Sequence, residues 1–531
     1  MHRCLAISEI LFLVFSPLPK HTLADVARTC QPFYYPAIRC LWRELPSILP
    51  IFCILSTKRW VSICKGKVQD LQITNQNAQR FGLYARHVKI INCPRKFHVS
   101  YHLLNQLRES DRLSHPLFPM LKQATLPSDF SATTVFYPGL ILSASVRSIM
   151  IYAHPVPNWA PSSNGTYWDA VCGRVEEFSD SLTTFALTTD ICFDGTRFNP
   201  IRDNAFLNGL FPTFSSSLRS LDVSCYRLTR DALLAVSRLS GLESLRMLTC
   251  SPSTPTFEAP LNFPALTNLH IQTNNMKATN EILIQLKGPK LRSFRIQCTF
   301  SPEPLGLTST FTHLSGCDAE ELSEIVVELL GTSGTATTCR AEIEEYEDTR
   351  YGVAGETLKP LLRFNNLSVL RISPCNSQQI TDEDFLQMCS AWPELKVLEL
   401  NDQTLYLSPC GITMGGVHLA LQNCPRLEEL VLRFNGRKDM PPFDDDSKPH
   451  PALRRWDVCT SSIRSGRRFA KWAMREYPLL KEISFYGLFQ AGIQEEREYK
   501  QLDHSLVTTY LDAAMMLDRW KDVPPLLKQL S

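Results

Sequence analysis

Arginine, histidine and arginine recur at positions 246, 270 and 295, which differ by 24 and 25 residues. Arginine forms bidentate hydrogen bonds with carboxylate and phosphate groups, so basic groups gathered on one surface would hold an acidic or phosphorylated segment of another protein. A second basic set, Arg464, Arg468, Lys471 and Arg475, falls on one face of a helix. At about 100° per residue, Phe469, Trp472 and Ala473 turn to the opposite face. For both sets the default alternative is an ordinary solvated surface.

Bond-making chemistry has no comparable support. The chain contains no glycine-rich phosphate loop, no HExxH, no GxSxG and no CxxC pair. His98 and His102 have the spacing of two ligands on one helical turn, but no third ligand accompanies them. Asp444, Asp445 and Asp446 stand between prolines and Lys448 and read as a solvated loop. Cys225, Cys250, Cys298, Cys375 and Cys459 each follow an apolar phrase by a few residues and read as small buried side chains in a ladder. The expectation is a binding protein, not an enzyme, with no metal or cofactor.

The element that would gather Arg246, His270 and Arg295 is a repeat. Leucine-x-x-leucine-x-leucine, with aliphatic or aromatic substitutes, stands at Leu218-Leu221-Val223, Leu242-Leu245-Met247, Leu266-Leu269-Ile271 and Leu291-Phe294-Ile296. The starting positions 218, 242, 266 and 291 differ by 24, 24 and 25. The phrase returns at Leu367-Leu370-Ile372, Leu395-Leu398-Leu400, Leu427-Leu430-Leu432, Leu453-Trp456-Val458 and Leu480-Ile483-Phe485, where 367, 395, 427, 453 and 480 differ by 28, 32, 26 and 27. This is the period of a leucine-rich repeat, one strand and one return segment per unit. Pro264, Pro393, Pro425, Pro451 and Pro478 each stand two residues ahead of the phrase's first leucine, where proline ends a helix and feeds an extended chain. Helices are expected to start at Ile380-Thr381-Asp382 and to run through Leu419-Ala420-Leu421 toward Cys389 and Cys424.

Earlier members are uneven: Val68-Leu71-Ile73, Leu121-Ala124-Leu126, Val146-Ile149-Ile151 and Leu182-Phe185-Leu187. The stretch 300–361, with its Gly331-to-Thr335 run and acidic Glu342-to-Asp348 run, reads as one distorted repeat plus an exposed insertion. After residue 490 the phrase stops, and Leu502, Leu506, Tyr510 and Leu517 form a helical tail able to cap an open end. In each strand the leucines point to the core, so the residue between the second and third apolar positions faces the opposite, concave side. That position holds Asp222, Arg246, His270, Arg295, Arg371, Glu399, Val431 and Asp457. Strands about 4.8 Å apart would place Arg246, His270 and Arg295 within roughly 10 Å.

The N-terminus is patterned differently. Ile7, Ile10, Leu11, Val14, Phe15 and Leu18 recur at three- and four-residue spacings, an apolar helical stripe. Leu23, Val26, Ala27 and Cys30 share a second face, with Thr22 as the expected N-cap. Pro32 and Pro36 are expected to end that helix and open a third that carries Phe33, Leu41 and Trp42. About fifty residues cannot bury so much apolar surface internally, so a partner is implied, with Trp42 as the expected anchor. A secretory signal peptide is the rival reading of Ile10 to Phe15, but Glu9 interrupts the apolar stretch.

These three segments resemble an F-box, and the repeats resemble the cysteine-containing leucine-rich repeats that commonly follow one. The resemblance implies an α/β chain: a three-helix F-box over 1–50, a linker over 51–67, a leucine-rich-repeat solenoid over 68–490 and a helical cap over 491–531. In such a solenoid parallel strands line the concave face and helices the convex face. It also implies the substrate-recognition subunit of an SCF-type (Skp, cullin, F-box) ubiquitin ligase. The adaptor-binding set would be Ile7, Ile10, Leu11, Val14, Phe15, Leu18, Leu23, Val26, Ala27, Cys30, Phe33, Pro36, Leu41 and Trp42, and the substrate set Arg246, His270, Arg295 and Arg371. The alternative is a repeat scaffold that assembles complexes without ubiquitylation.

Composition agrees with a binding protein. With 531 residues the chain needs several domains or a repeat array, and 55 basic against 53 acidic residues leave +2, which points to neither nucleic acid nor a membrane surface. No apolar run reaches the roughly 18 residues of a membrane span. The 18 scattered cysteines read as reduced thiols of an intracellular protein, cytoplasmic or nuclear.

Overall fold

The structure is a computed structural model, and it describes residues 7–55, 71, 73–92, 101–126, 137–153, 165–189, 205–249, 260–298, 304–329, 353–375, 378–402, 410–437, 448–485, 519–520 and 523–524. The N-terminal apolar segments form three helices, α1 (Ser8–Phe15), α2 (Lys20–Thr29) and α3 (Gln31–Arg43). Leu11, Phe15, Leu23 and Ala37 make their common core, and Leu18, Val26, Ala27, Phe33, Cys40 and Leu41 pack around it. The Phe15 and Phe33 rings meet edge to face at 5.4 Å. Two expected boundaries move. Pro19, not Thr22, is the N-cap of α2, and its carbonyl accepts the Leu23 N–H at 3.0 Å. Pro32 sits in the first turn of α3, where a missing N–H costs nothing, so Pro36 lies inside that helix instead of opening it.

Backbone contacts divide the chain into two compact units, Met1–Cys192 with Asn199–Leu245, and Phe193–Phe198 with Arg246–Ser531. In the first unit α3 runs into β1 (Glu44–Leu45), which is followed by α4 (Leu49–Leu55) and α5 (Asn75–Ala85). The strands β2 (Ile90–Asn92), β3 (Gln123–Leu126), β4 (Ser148–Ala153), β5 (Thr184–Thr189) and β6 (Ser220–Arg227) follow. They pair in parallel and in chain order, with Leu45↔Ile91, Ile91↔Ala124, Ala124↔Ile149, Ile149↔Phe185 and Phe185↔Leu221 in register. The first ladder strand thus lies inside 1–50, and α4 crosses from that segment into the expected linker.

The division of the units falls in β7 (Ser244–Thr249). The second unit continues with β8 (Asn268–Thr273), β9 (Ser293–Cys298) and β10 (Glu324–Leu329), then β12 (Val369–Cys375), β14 (Val397–Asp402), β15 (Glu429–Leu432), β17 (Arg455–Asp457) and β19 (Glu482–Ser484). Short pairs, β11 (Val353–Ala354) with β13 (Gln378–Gln379) and β16 (Asn435–Gly436) with β18 (Ser462–Ile463), flank it. Leu269, Phe294, Ile325, Leu370, Leu398, Leu430, Trp456 and Ile483 occupy one register position along the main ladder. Parallel strands need a return segment between them, here supplied by helices such as Asp382–Ala391, Met414–Leu421 and Gly466–Glu476. Each unit is a leucine-rich-repeat array. Among the described residues no helix is long and apolar enough to cross a membrane.

The expected prolines act as turn residues. Leu266, Leu395, Leu427 and Leu480 each donate a backbone N–H to the carbonyl three residues earlier, at 3.4, 3.1, 3.0 and 3.0 Å, closing a turn with proline at its second position. The fifth turn closes through a side chain: Nδ1 of buried His450 accepts from the Ala452 and Leu453 N–H groups, at 3.3 and 3.1 Å. Its Nε2 therefore carries the proton and donates to the Cys424 carbonyl at 3.0 Å. Thr381 caps its helix with a reciprocal capping box to Asp384.

Two repeat expectations are corrected. Of Val68-Leu71-Ile73, Val68 lies outside the described residues, and Leu71 and Ile73 are not in a strand but lead into a helix: Thr74 caps α5, accepting from the Asn77 N–H at 3.1 Å. The strand that pairs with β1 is β2, led by buried Val88 and Ile91. The 300–361 stretch contains a regular strand, since Leu322-Ile325-Val327 is fully buried and β10 keeps register with both β9 and β12. Its acidic and glycine-containing runs lie outside the described residues, as do Leu502, Leu506, Tyr510 and Leu517. The described end cap is Trp520 with Val523, both buried. Indole N–H of Trp520 donates to the Ser461 carbonyl at 2.8 Å, and its ring meets Phe469 at 5.0 Å. Gly466 admits this segment, because a Cβ there would lie 2.1 Å from the Arg519 carbonyl oxygen.

Removing Trp520 leaves a cavity against Phe434 and Phe469. Trp520→Ala should cost about 3 kcal/mol. Hydrogen exchange should quicken in helix Gly466–Glu476 while β2 to β5 keep their protection, because repeat stability is carried by nearest neighbours. Uniform loss of protection over both units would contradict this.

Candidate functional site

The first candidate surface is the outer side of α1. The expected stripe is wider than its helical neighbours can cover, and the structure divides it. Leu11 and Phe15 are 1% and 5% exposed within the core, with Leu23 beside them. Ile7, Ile10, Leu13 and Val14 remain 46%, 37%, 70% and 52% exposed. Leu13 was absent from the expected set although it is the most exposed. Its signal was its place three residues after Ile10. Leu18, Val26, Ala27, Phe33 and Leu41 pack against the core, Pro36 is buried, and Cys30 is half-buried. These residues hold the cluster together, so Leu11, Phe15, Leu23 and Pro36 are not available to a partner as the sequence reading had them.

Trp42 is also committed within its unit. Its ring stacks on Tyr84 of α5 at 4.7 Å with planes 16° apart. With Pro50, Cys53, Ile54 and Arg80 it lines an open cleft of about 340 Å³. It is therefore not the freestanding anchor expected. Exposed aromatics stand on α3 instead, at Tyr34 and Tyr35, while Arg39 lies 4.7 Å over the Phe12 ring in a cation–π contact.

The second candidate surface is the outward face of the strand ladder in the second unit. His270, Arg295, Val326, Arg371, Glu399, Val431 and Asp457 do occupy equivalent positions on successive strands. Val326, on the strand the sequence reading missed, separates Arg295 from Arg371, so the basic strip does not extend to Arg371. Arg371 instead faces Glu399 and Glu429, each at 3.7 Å. Arg455 lies between Glu429 and Glu482, each at 3.1 Å. Glu324 stands 3.7 Å from Arg295 and accepts from the Ser293 hydroxyl at 2.7 Å. Beside these, Gln272 donates to Gln297 at 2.8 Å, and Gln297 to Glu328 at 3.3 Å. Cross-strand pairing of this kind sets each side chain's direction and leaves little uncompensated charge.

His270 differs from the charged group the spacing suggested. Burial, with Arg246 and Arg295 beside it, pushes its imidazole down to about 3, so it is neutral near pH 7. Its Nε2 is buried without a hydrogen-bond partner. The strip is thus two guanidinium groups flanking a neutral ring, with Glu324 close by.

Among the described residues no group of three or more histidine, cysteine, aspartate or glutamate side chains could hold a metal. His102 bonds Gln106 at 3.1 Å, and His98 lies outside the described residues. Cys225, Cys298 and Cys459 are buried. The Cys225 thiol points at the Leu187 carbonyl, 3.0 Å away. Burial pushes the Cys317 thiol up to about 11, away from thiolate reactivity. Cys250, the Cys375 side chain and Asp444 to Asp446 lie outside the described set.

No family model and no curated protein matches this chain. Among solved structures it is similar to an internalin, InlF, from Listeria monocytogenes, with 12% identity over 83% of this chain and 96% of that one and a TM-score of 0.35. It is also similar to a chain of the yeast Rad7 and Elc1 complex, with 16% identity over 62% of this chain and 84% of that one and a TM-score of 0.31. The leucine-rich-repeat assignment rests on the ladder itself, its parallel register and its buried leucine columns.

The state of His270 has a thermodynamic signature. Its folded value lies below the ordinary 6.5, so between 6.5 and about 3 the unfolded chain takes up the proton first. The stability this provides is complete above that window and falls as pH falls through it. Urea unfolding at about pH 7 and about pH 5 should show a smaller loss for His270→Gln than for the parent. Equal losses would mean that the ring is protonated in the fold.

Proposed function

We propose that this chain is the substrate-recognition subunit of an SCF-type ubiquitin ligase and not itself an enzyme. In this reading α1 to α3 are an F-box that holds a Skp-type adaptor, which carries the cullin, and the repeat ladder holds the substrate protein. The scaffold's partner enzyme supplies the chemistry, and this chain supplies proximity, in the cytoplasm or nucleus. The observation that carries the reading is the row Ile7, Ile10, Leu13 and Val14, left exposed on a helix cluster that has already closed a core of its own. An apolar patch of this kind marks a protein interface. A repeat scaffold without ubiquitylation would use the same ladder, but it gives the α1 row no occupant.

The Arg246, His270 and Arg295 strip is the proposed substrate surface, suited to an acidic or phosphorylated segment. An anion placed there would meet two guanidinium groups and would also favour protonation of His270. Selectivity for anions would then strengthen as pH falls.

Adaptor binding is tested with Ile10→Asp and Val14→Asp together, at exposed positions where folding should survive. Buried interface anchors of this class contribute about 2 kcal/mol or more, so affinity for a purified Skp-type adaptor should fall roughly thirtyfold or further. Adaptor binding by the folded double variant at parental strength would sink the F-box reading. Arg246→Glu with Arg295→Glu should remove the proximity-labelled partners that depend on the ladder while adaptor binding is kept. A labelled set unchanged by that reversal would show the strip to be solvated surface only.

A further inference from the structure

Among the described residues, several cations pair with carboxylates across neighbouring repeats. Where one repeat meets the next, Arg219 faces Glu243, Arg292 faces Glu321, Arg426 faces Glu394 and Arg454 faces Glu428. Helix Gly466–Glu476 breaks that habit. Its side chains Arg467, Arg468 and Lys471 are exposed and have no ion-pair partner among the described residues. The helix's one carboxylate, Glu476, is buried on the other side, between Arg475 and His418.

Helical geometry makes these charges a line. Arg468, Lys471 and Arg475 fall within an arc of about 60°, with rises of about 4.5 and 6 Å between successive members, whereas Arg464, expected on the same face, precedes the extended N-cap Ser465 and lies outside the helix. Arg467 flanks them. The opposite arc, Phe469, Ala470, Trp472 and Ala473, is fully packed into the core, with Phe469 against Trp520 and Trp472 against Tyr477. The row is therefore held straight on a rigid element.

We propose that this row is a docking surface for an extended acidic segment of a partner protein. Alternate residues of an extended chain lie on one side about 6.6 Å apart, close to the spacing of the cations. Acidic groups at every second position could then run alongside them. Single-stranded nucleic acid would want aromatic faces for stacking, and the aromatic rings of this helix are buried. A membrane surface would want an exposed apolar face, and the apolar face of this helix is also buried. The proposal does not rest on the ubiquitin-ligase reading, because neither the α1 row nor the strand ladder takes part in it.

The test uses the full-length chain and a fluorescent peptide of alternating glutamate and alanine, followed by anisotropy, with an alternating lysine and alanine peptide and single-stranded RNA as comparisons. The acidic peptide should bind, and added salt should weaken it. Arg467→Gln, Arg468→Gln and Lys471→Gln together should lower its affinity about tenfold, since exposed ion pairs each contribute a modest share. Arg468→Lys, which keeps the charge, should retain binding, and circular dichroism should match the parent throughout. Lys471→Gln alone gives the same test in smaller measure if the triple variant loses its helix signal. Absent binding of the acidic peptide, unchanged binding by the folded charge variants, or tighter binding of RNA than of the peptide would each overturn the proposal.

Discussion

The column Leu269, Phe294, Ile325, Leu370, Leu398, Leu430, Trp456 and Ile483 is the constraint on which the second unit depends. A strand buries this residue only if its neighbours on both sides present theirs at the same height, because side chains alternate with a period of two and a one-residue slip would turn every leucine outward. Backbone pairing and apolar burial therefore enforce the same register. Once that register is set, the positions between the leucines are aligned across strands, which is how residues far apart in sequence come to form one surface.

Alignment also governs electrostatics. Groups at equivalent positions lie within reach of each other, so like charges in adjacent repeats repel and opposite charges pair. Most of the outward face is organised by that rule, with Arg371 and Arg455 each between two glutamates. His270 meets the rule in another way, by remaining neutral between Arg246 and Arg295. Helix Gly466–Glu476 lies outside the ladder, and its Arg467, Arg468 and Lys471 have no ion-pair partner among the described residues.

The N-terminal cluster obeys a different constraint. Three short helices have one small shared interior, and Leu11, Phe15, Leu23 and Ala37 fill it. Apolar residues beyond that capacity must face outward, whatever their type. The row on α1 is this surplus, and its exposure is a consequence of size as much as of sequence.

The repeats were legible because their period is written in residues that have no alternative use: nine leucine phrases, five prolines at one offset and a Thr381 cap all describe the same strand, turn and helix. Legibility failed where a local signal had two meanings or a long interval hid the period. Leu71 and Ile73 have the strand spacing yet precede a capped helix. The phrase Leu322-Ile325-Val327 was overlooked because Leu367 follows Leu322 by 45 residues and the rhythm is interrupted there. Trp520 gave no sign of its role, since its partners Phe434 and Phe469 are distant in sequence. The sequence by itself determined which residues are apolar, how often they recur and hence the strand and helix repeat. Only the tertiary structure decided which apolar residues of α1 stay outside, that Trp42 stacks on Tyr84, and that His270 is neutral. Each of those depends on what neighbouring elements place beside a side chain, and burial and local charge are properties of that arrangement, not of the residue.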